Sequence, residues 1–262
     1  MLKTERMDRV RAALRAQGLT QMIVCDPKSV WYLTGVAVEP YERLLALYLP
    51  TEGEPVLFLN RLFNVPEPPC RTVWHTDTDK PVAQIAEVVD AGRPLGIDKE
   101  WPAKFLIPLM ETHPGMQVVL SSDCVDDCRA CKDAEEQTLM REASRINDAV
   151  NEAAKHYIKA GMTEREVAEF IGAQFRAHGC EGPSFTTIVS FGANTADPHH
   201  EPDDTVLKEG DCVLFDMGCV KSRYCSDMTR TWFCGQPTEK QAAVHDLVRR
   251  ANEAAEALIK PG

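Results

Sequence analysis

The first half of the chain alternates between short apolar runs and amphipathic stretches. Leucine-rich and β-branched runs predict strands, and apolar residues at three- and four-residue intervals predict helices. In chain order the pattern predicts helix 5–16, strand 21–25, helix 27–33, strands 44–49, 56–59 and 71–75, helix 81–91, strand 95–97, helix 102–110 and strand 117–120. This alternation indicates an α/β domain.

The pattern changes near residue 133. A long amphipathic helix is predicted over 134–158, and Thr163 with Glu166 has the spacing of a capping box that starts another helix. We therefore predict a first domain at 1–132 and a second at 133–262, in a mixed α/β (α+β) chain.

A β-hairpin is predicted in the second domain. Segments 212–220 and 223–233 are rich in β-branched, aromatic and sulfur-containing residues and flank Lys221-Ser222. With Lys221-Ser222 as a two-residue loop, Asp216 lies opposite Asp227 and both carboxylates share one face. This register depends on the turn, because Lys-Ser is not a favoured pair for a tight hairpin loop.

Two carboxylates opposed in a sheet repel each other, so a shared proton or a bound cation must compensate. A divalent metal fits better, because carboxylates on strands can bridge one or two ions and leave positions open for water. The spacing also permits a plainer interpretation, in which Asp216 and Asp227 are unrelated residues facing solvent.

Composition narrows the class of protein. The chain has 262 residues, of which 44% are hydrophobic, enough for a buried core and two domains. A net charge of -11 argues against a nucleic-acid partner. No apolar stretch is long enough to span a membrane and the first residues do not form a signal peptide, so we predict a cytoplasmic protein whose ten cysteines are reduced.

Three of the cysteines, Cys124, Cys128 and Cys131, have the C-x3-C-x2-C spacing that holds iron–sulfur clusters in some radical enzymes. Residues four and three apart also share one face of a helix, and Ser122 or Asp123 could cap such a helix. The helical interpretation is favoured, because those enzymes carry the motif in a loop after an early strand.

Several motifs resemble one family. Residues 215–218 (F-D-M-G) and 224–231 (Y-C-S-D-M-T-R-T) resemble a signature of the family that holds Xaa-Pro aminopeptidases, prolidases and creatinase. Upstream, 183–185 (P-S-F), 188–189, Asn194 and 198–199 (P-H) resemble its segment ending in a histidine, and 31–35 (W-Y-L-T-G) resembles its N-terminal domain. The resemblance implies a creatinase-type N-terminal domain followed by a pita-bread domain.

The resemblance also implies a chemistry. Asp216 and Asp227 would hold two divalent metal ions, Mn, Co or Zn, that bridge an attacking water, and the substrate would be a proline-containing peptide cleaved before proline. His199 would contact the substrate, whereas nothing assigns a role to His200. Thr229 lies on the carboxylate face and would support the ligands. Arg230 points to the opposite face, and family members commonly form homodimers.

The sequence departs from the family after the hairpin. The later histidine and two glutamates that complete the family's metal site do not follow, so two of five ligands are present and we expect an incomplete, inactive pita-bread domain. Two alternatives stay open: a non-catalytic peptide-binding module, and a creatinase-like hydrolase or lyase acting on a small non-peptide substrate.

Overall fold

The computed structural model describes residues 2–261. The chain divides into two compact units, Met1–Lys132 and Asp133–Gly262. Within residues 2–261, no helix combines the length and the apolar composition that crossing a bilayer requires.

The first unit is built on one six-stranded mixed sheet with strand order β4-β3-β2-β1-β5-β6. Its elements are α1 (Thr4–Ala16), β1 (Gln21–Val24), α2 (Pro27–Thr34), β2 (Ala46–Pro50), β3 (Val56–Asn60), β4 (Arg71–His75), α3 (Pro81–Ala86), β5 (Leu95–Ile97), α4 (Ala103–Thr112), β6 (Val118–Leu120) and α5 (Asp123–Ala130). The predicted alternation of helices and strands is confirmed.

The predicted helix 81–91 is too long. Helix α3 ends at Ala86. The side chain of Gln21 accepts a hydrogen bond from the Asp90 backbone N–H at 2.9 Å and donates one to the Asp90 carbonyl at 2.8 Å. In a continued helix, the backbone N–H and carbonyl of Asp90 would bond to other residues of that helix. The Gln21 side chain takes their place, so the backbone around Asp90 is not helical.

Both faces of this sheet are covered. Met22 and Val24 of β1 pack into a core with residues of α1, α2 and α5, whereas Ile23 and Cys25 pack with α3 and α4 on the other face. Every residue of β3 is buried. A strand covered on both sides reads as a continuous apolar run, which is the pattern of 56–59.

The cysteine motif lies on helix α5, so the helical interpretation is confirmed. Cys124 is buried in the core next to Val125, Cys128 is half-buried against the same core, and Cys131 is exposed just after the helix. The three thiols therefore occupy three different environments.

The second unit contains two three-stranded sheets, ordered β11-β10-β7 and β12-β9-β8. Its elements are α6 (Ala134–Tyr157), α7 (Glu164–Ala177), β7 (Gly182–Pro183), β8 (Ile188–Phe191), a 3-10 helix (Gly192–Ala196), β9 (Cys212–Met217), β10 (Cys219–Lys221), β11 (Tyr224–Cys225), β12 (Met228–Phe233) and α8 (Glu239–Glu256). The predicted capping box is confirmed, because Thr163 and Glu166 each accept a bond from the other's backbone N–H.

Strand β9 separates a covered face from an open one. Val213, Phe215 and Met217 are buried against residues of α6 and α7. The residues that alternate with them, Cys212, Leu214 and Asp216, are only half-buried. No residue of α8 is buried, and its Val244, Leu247 and Val248 are exposed. Asp216 therefore lies on the face that the second unit leaves open.

The predicted register of the hairpin is wrong by two residues. The two-residue loop is Ser222-Arg223, with φ of 50° and 67°, and Lys221 pairs with Tyr224 in the ladder. Asp216 consequently lies opposite Thr229 instead of opposite Asp227.

Contacts outside the turn hold this register. The Tyr224 hydroxyl donates to Glu136 Oε1 of α6 at 3.0 Å, and the backbone N–H of Ser226 donates to the Cys219 carbonyl at 2.9 Å. Because the shift is an even number of residues, the side chains keep the faces predicted for them.

Candidate functional site

Asp216 is held on the open face by its neighbour across the sheet. The Thr229 hydroxyl donates a hydrogen bond to Asp216 Oδ1 at 2.8 Å. That Thr229 supports a metal ligand stays a prediction. Within residues 2–261, no lysine or arginine forms a salt bridge with Asp216. The other carboxylate oxygen, Oδ2, accepts no bond from the described residues, so it is available to a ligand.

Asp227 is exposed and lies between the β10/β11 ladder and the β9/β12 ladder. It lies outside the strands and precedes Thr229 by two residues, and counted back along the β9/β12 ladder its position falls opposite Gly218. The placement of the Asp216 and Asp227 carboxylates together on one side of the sheet stays a prediction.

Gly218 explains how the two strands approach each other between these aspartates. A Cβ atom on Gly218 would lie 1.9 Å from the Ser226 carbonyl oxygen and 2.3 Å from Ser184 Oγ. Only glycine fits this spacing. The glycine two residues after Asp216 is therefore required by packing, because a larger residue would push Ser226 and the neighbouring Asp227 away.

The donor set fits a divalent cation. Asp216 and Asp227 provide carboxylate oxygens, which hard cations such as Mn²⁺ and Mg²⁺ prefer. Thr229 orients one carboxylate and leaves an oxygen free, which is how a neighbouring hydroxyl supports a metal ligand. Without a basic partner among the described residues, a cation would relieve the repulsion between the two carboxylates.

The two adjacent histidines occupy different environments. His199 is exposed, and only its backbone N–H is engaged, donating to Asp197 Oδ1 at 2.9 Å. His200 points inward, with its Nε2 2.6 Å from Oε2 of the fully buried Glu164. In the described part of the chain the His199 ring has no hydrogen-bond partner, so it is free to contact a ligand.

Glu164 was not predicted as a site residue. It is the first residue of α7 and is 0% exposed, although acidic residues in the first turn are usually solvated. Its main partner His200 is 36 positions away, and no sequence spacing connects the two. The helix N-terminus favours a negative charge at this position.

Glu164, His200 and Asp203 form a group whose ligand atoms all lie within 4.8 Å of one another. Such a group could hold a metal ion, but both Glu164 oxygens already accept hydrogen bonds. Oε1 accepts from the Phe191 backbone N–H at 2.7 Å and from Asn194 Nδ2 at 3.0 Å, and Oε2 accepts from the Asp203 backbone N–H at 3.1 Å. The group is therefore a hydrogen-bond centre.

The pKa of Asp203 is held below its ordinary value by hydrogen bonds from the side chain and then the backbone N–H of Thr205. The backbone bond is 2.7 Å long. Asp203 is consequently a carboxylate at neutral pH, and its charge lies beside His200.

A cavity of about 920 Å³ opens next to Thr229 on the Asp216 side of the sheet. Leu214, Thr231 and Phe233 line it from the strands, and Val244 and Arg249 line it from α8. Its volume is in the range of small-molecule and peptide sites. The mixed apolar and polar lining suits a peptide side chain better than a simple ion.

Two protein-family models match this chain. Residues 138–262 match the model of metallopeptidase family M24, and residues 6–131 match the creatinase/prolidase N-terminal domain. An uncharacterized peptidase of Staphylococcus aureus is 33% identical over 250 residues, which cover 91% of this chain and 69% of that protein.

Two solved structures have the same fold. A recombinant prolidase from Thermococcus sibiricus superimposes with a TM-score of 0.90 at 29% identity, covering 100% of this chain and 74% of that one. Dipeptidase PepE from Mycobacterium ulcerans superimposes with a TM-score of 0.88 at 30% identity, covering 96% of this chain and 70% of that one.

Proposed function

Because this chain belongs to metallopeptidase family M24 and carries the creatinase/prolidase N-terminal domain, we propose that it serves metal-dependent hydrolysis of Xaa-Pro peptide bonds. The similarity to a prolidase and to a dipeptidase supports a short, proline-containing substrate. Aminopeptidase P and prolidase activities are the two forms of this proposal.

The observation that carries the proposal is Asp216 on the open face, with one carboxylate oxygen bonded by Thr229 and the other without a partner among the described residues. Asp216 and Asp227 would hold two divalent ions, manganese before cobalt or zinc, because their ligand atoms are oxygens. Ions bound there would lower the pKa of water and polarise the substrate carbonyl. Thr229 would keep Asp216 in one orientation through its 2.8 Å hydrogen bond.

His199 would contact the substrate. Its ring is exposed and has no partner among the described residues, so its N–H can donate to the carbonyl oxygen of the scissile bond. A donor placed at that oxygen stabilises the negative charge that develops on it. The cavity next to Thr229 would accept part of the peptide.

One observation favours a second function, a non-catalytic peptide-binding module. The cavity of about 920 Å³ next to Thr229 has a mixed apolar and polar lining that suits a peptide side chain. Such a module would bind proline peptides there without cleaving them.

Metal titration and hydrolysis test the proposal together. Calorimetry should show Mn²⁺ binding to the natural chain, and Asp216→Asn or Asp227→Asn should weaken it by more than the roughly 10- to 100-fold that loss of a supporting outer-shell residue costs, because each removes a direct ligand. Asp148→Asn, an exposed change on α6, is the matched control and should leave the affinity unchanged.

Release of proline from Ala-Pro, compared with cleavage of Ala-Ala, measures the reaction itself. Activity that requires Mn²⁺ and disappears in both aspartate variants supports a peptidase. Mn²⁺-dependent peptide binding without cleavage supports the binding module. Full activity in Asp216→Asn would refute the assignment of the site.

The proposal includes a cytoplasmic location and a homodimer. All ten cysteines are free, which is typical of a reducing compartment. Light scattering on the purified chain measures the oligomeric state directly.

A further inference from the structure

The segment after β8 carries both histidines and needs an anchor, because it contains only a short 3-10 helix, Gly192–Ala196. Glu164 of α7 provides that anchor at three points. Its carboxylate accepts from the Phe191 N–H at the start of the segment, from the Asn194 amide in the middle and from the Asp203 N–H at the end. One buried charge therefore ties both ends of the segment to the helix.

His200 adds a fourth tie. Its Nε2 lies 2.6 Å from Glu164 Oε2 and 3.1 Å from Asn194 Nδ2. Both Glu164 oxygens accept from N–H groups elsewhere in the segment, so we assign Nε2 as the donor of this bond. The Asn194 amide hydrogens are then left for Glu164 Oε1 and Thr205 Oγ1, at 3.0 and 3.1 Å.

His199 is the next residue and has the opposite orientation. Its backbone N–H is fixed by Asp197, while its ring is exposed. The backbone of His199 is thus held on one side by the Asp197 bond and on the other by the anchored ring of His200. The position from which the His199 ring reaches a ligand is determined by these two bonds.

We propose that Glu164 is a positioning residue: through His200 it fixes the place of His199 beside the substrate. The consequence for peptide binding rests on the proposed function, since His199 meets the substrate only there. Fixation of the loop and of the His199 ring is a property of the folded chain and can be measured without substrate.

The main variant is Glu164→Gln, which keeps the shape and removes the charge. Glu166→Gln is the matched control, because Glu166 lies on the same helix, is exposed, and glutamine can also complete the capping box with Thr163. Amide hydrogen exchange at Phe191 and Asp203 measures how firmly the segment after β8 is held. The NMR signal of the His199 ring measures the environment of that ring. Calorimetry with Mn²⁺ and a ketomethylene analogue of Ala-Pro, which keeps the carbonyl but cannot be cleaved, reports binding.

Glu164→Gln should speed exchange at Phe191 and Asp203, shift the His199 signal, and weaken analogue binding by about tenfold, a usual coupling between residues of one network. In a His199→Ala background the same substitution should weaken binding no further. General destabilisation would weaken binding equally in both backgrounds, so that result would overturn the proposal. So would unchanged exchange together with an unchanged His199 signal.

His200 variants cover the case in which Glu164→Gln does not fold. The His200 side chain is 14% exposed, so its replacement removes one tie and leaves the other three. His200→Leu should give the same changes as Glu164→Gln, but smaller. His200→Gln should give still smaller changes, because its amide can donate to Glu164. Equal behaviour of the two variants contradicts the proposal.

The two readouts separate this inference from the proposed function. If the natural chain does not bind the analogue while Glu164→Gln still loosens the loop and shifts the His199 signal, the assignment of the substrate fails and the positioning of His199 by Glu164 stands.

Discussion

The two units use their sheets differently. In the first unit, helices cover both faces of the six-stranded sheet, and β3 is buried at every residue. In the second unit, β9 is buried only at alternate residues, and the half-buried positions include Asp216. The sheet covered on both sides serves stability, whereas the half-covered sheet leaves a face on which carboxylates can remain hydrated and bind ligands.

The same difference exists within one strand. Phe215 and Asp216 are neighbours in sequence, but Phe215 packs edge-on against Trp232 with ring centroids 4.6 Å apart, while Asp216 accepts a bond from Thr229. Substitutions on the two faces should therefore affect different properties, stability on one and ligand binding on the other.

The largest expected effect comes from the covered face. Phe215→Ala should lower the free energy of unfolding of the second unit by about 3–5 kcal/mol, because it removes a fully buried ring and leaves a cavity. Leu214→Ala, on the open face of the same strand, should lower it by roughly 1 kcal/mol, since the side chain is only half-buried. Urea-dependent hydrogen exchange in β9 measures both. Equal losses would abolish the distinction between the two faces.

A second substitution affects both properties at once. Gly218→Ala places a Cβ against the Ser226 carbonyl, so it should destabilise the hairpin by about 1–3 kcal/mol and also weaken Mn²⁺ binding by displacing Asp227. Gly182→Ala is the control, because a Cβ there meets nothing within 4 Å. Thermal unfolding and metal calorimetry measure the pair. A stable Gly218→Ala with normal metal affinity would show that the close approach at Gly218 is dispensable.

Local signals made much of this fold predictable. The apolar runs gave the strands of the first unit, and Thr163 with Glu166 gave the start of α7, because both depend on residues close in sequence. The hairpin register was not predictable, because the turn residues Ser222 and Arg223 have positive φ without being Asn or Gly.

The residues of the candidate site also divide into those that local sequence signals predict and those that only the tertiary fold reveals. Asp216 and Thr229 were predicted from strand alternation and family resemblance, and the structure joins them by a hydrogen bond. Glu164 was missed, because its burial depends on contacts with Phe191, Asn194 and His200, which come from the tertiary fold. A capping-box sequence alone would place this glutamate in solvent.

Acid sensitivity should also differ between the units. In the first unit the pKa of Asp77 is lowered chiefly by the hydrogen bond from Arg43, and in the second the pKa of Asp203 is lowered chiefly by the Thr205 hydroxyl. Folded-state pKa values below the unfolded value of about 3.9 mean that both contributions are complete above that pH and are lost as pH falls through the folded pKa.

Two variants separate these contributions. Arg43→Gln should move acid unfolding of the first unit to higher pH, and Thr205→Val should do so for the second unit. Added salt should reduce the effect of Arg43→Gln more, because it screens an exposed ion pair more than a hydroxyl bond. Circular dichroism against pH at low and high salt makes the comparison, and identical salt responses would contradict it.

The smallest expected effect comes from the two-residue loop of the hairpin, Ser222-Arg223. Ser222→Asn should stabilise the second unit by about 0.5–1 kcal/mol, because asparagine tolerates the left-handed conformation that serine adopts at φ of 50°. Lys221→Gly should instead destabilise it by roughly 0.5–1 kcal/mol, since Lys221 is a strand residue paired with Tyr224. Thermal unfolding distinguishes the two variants. A stabilising Lys221→Gly would contradict the observed register and support Lys221-Ser222 as the loop. Because the registers differ by two residues, Asp216 keeps its face in both, so Ser222→Asn should leave Mn²⁺ affinity unchanged.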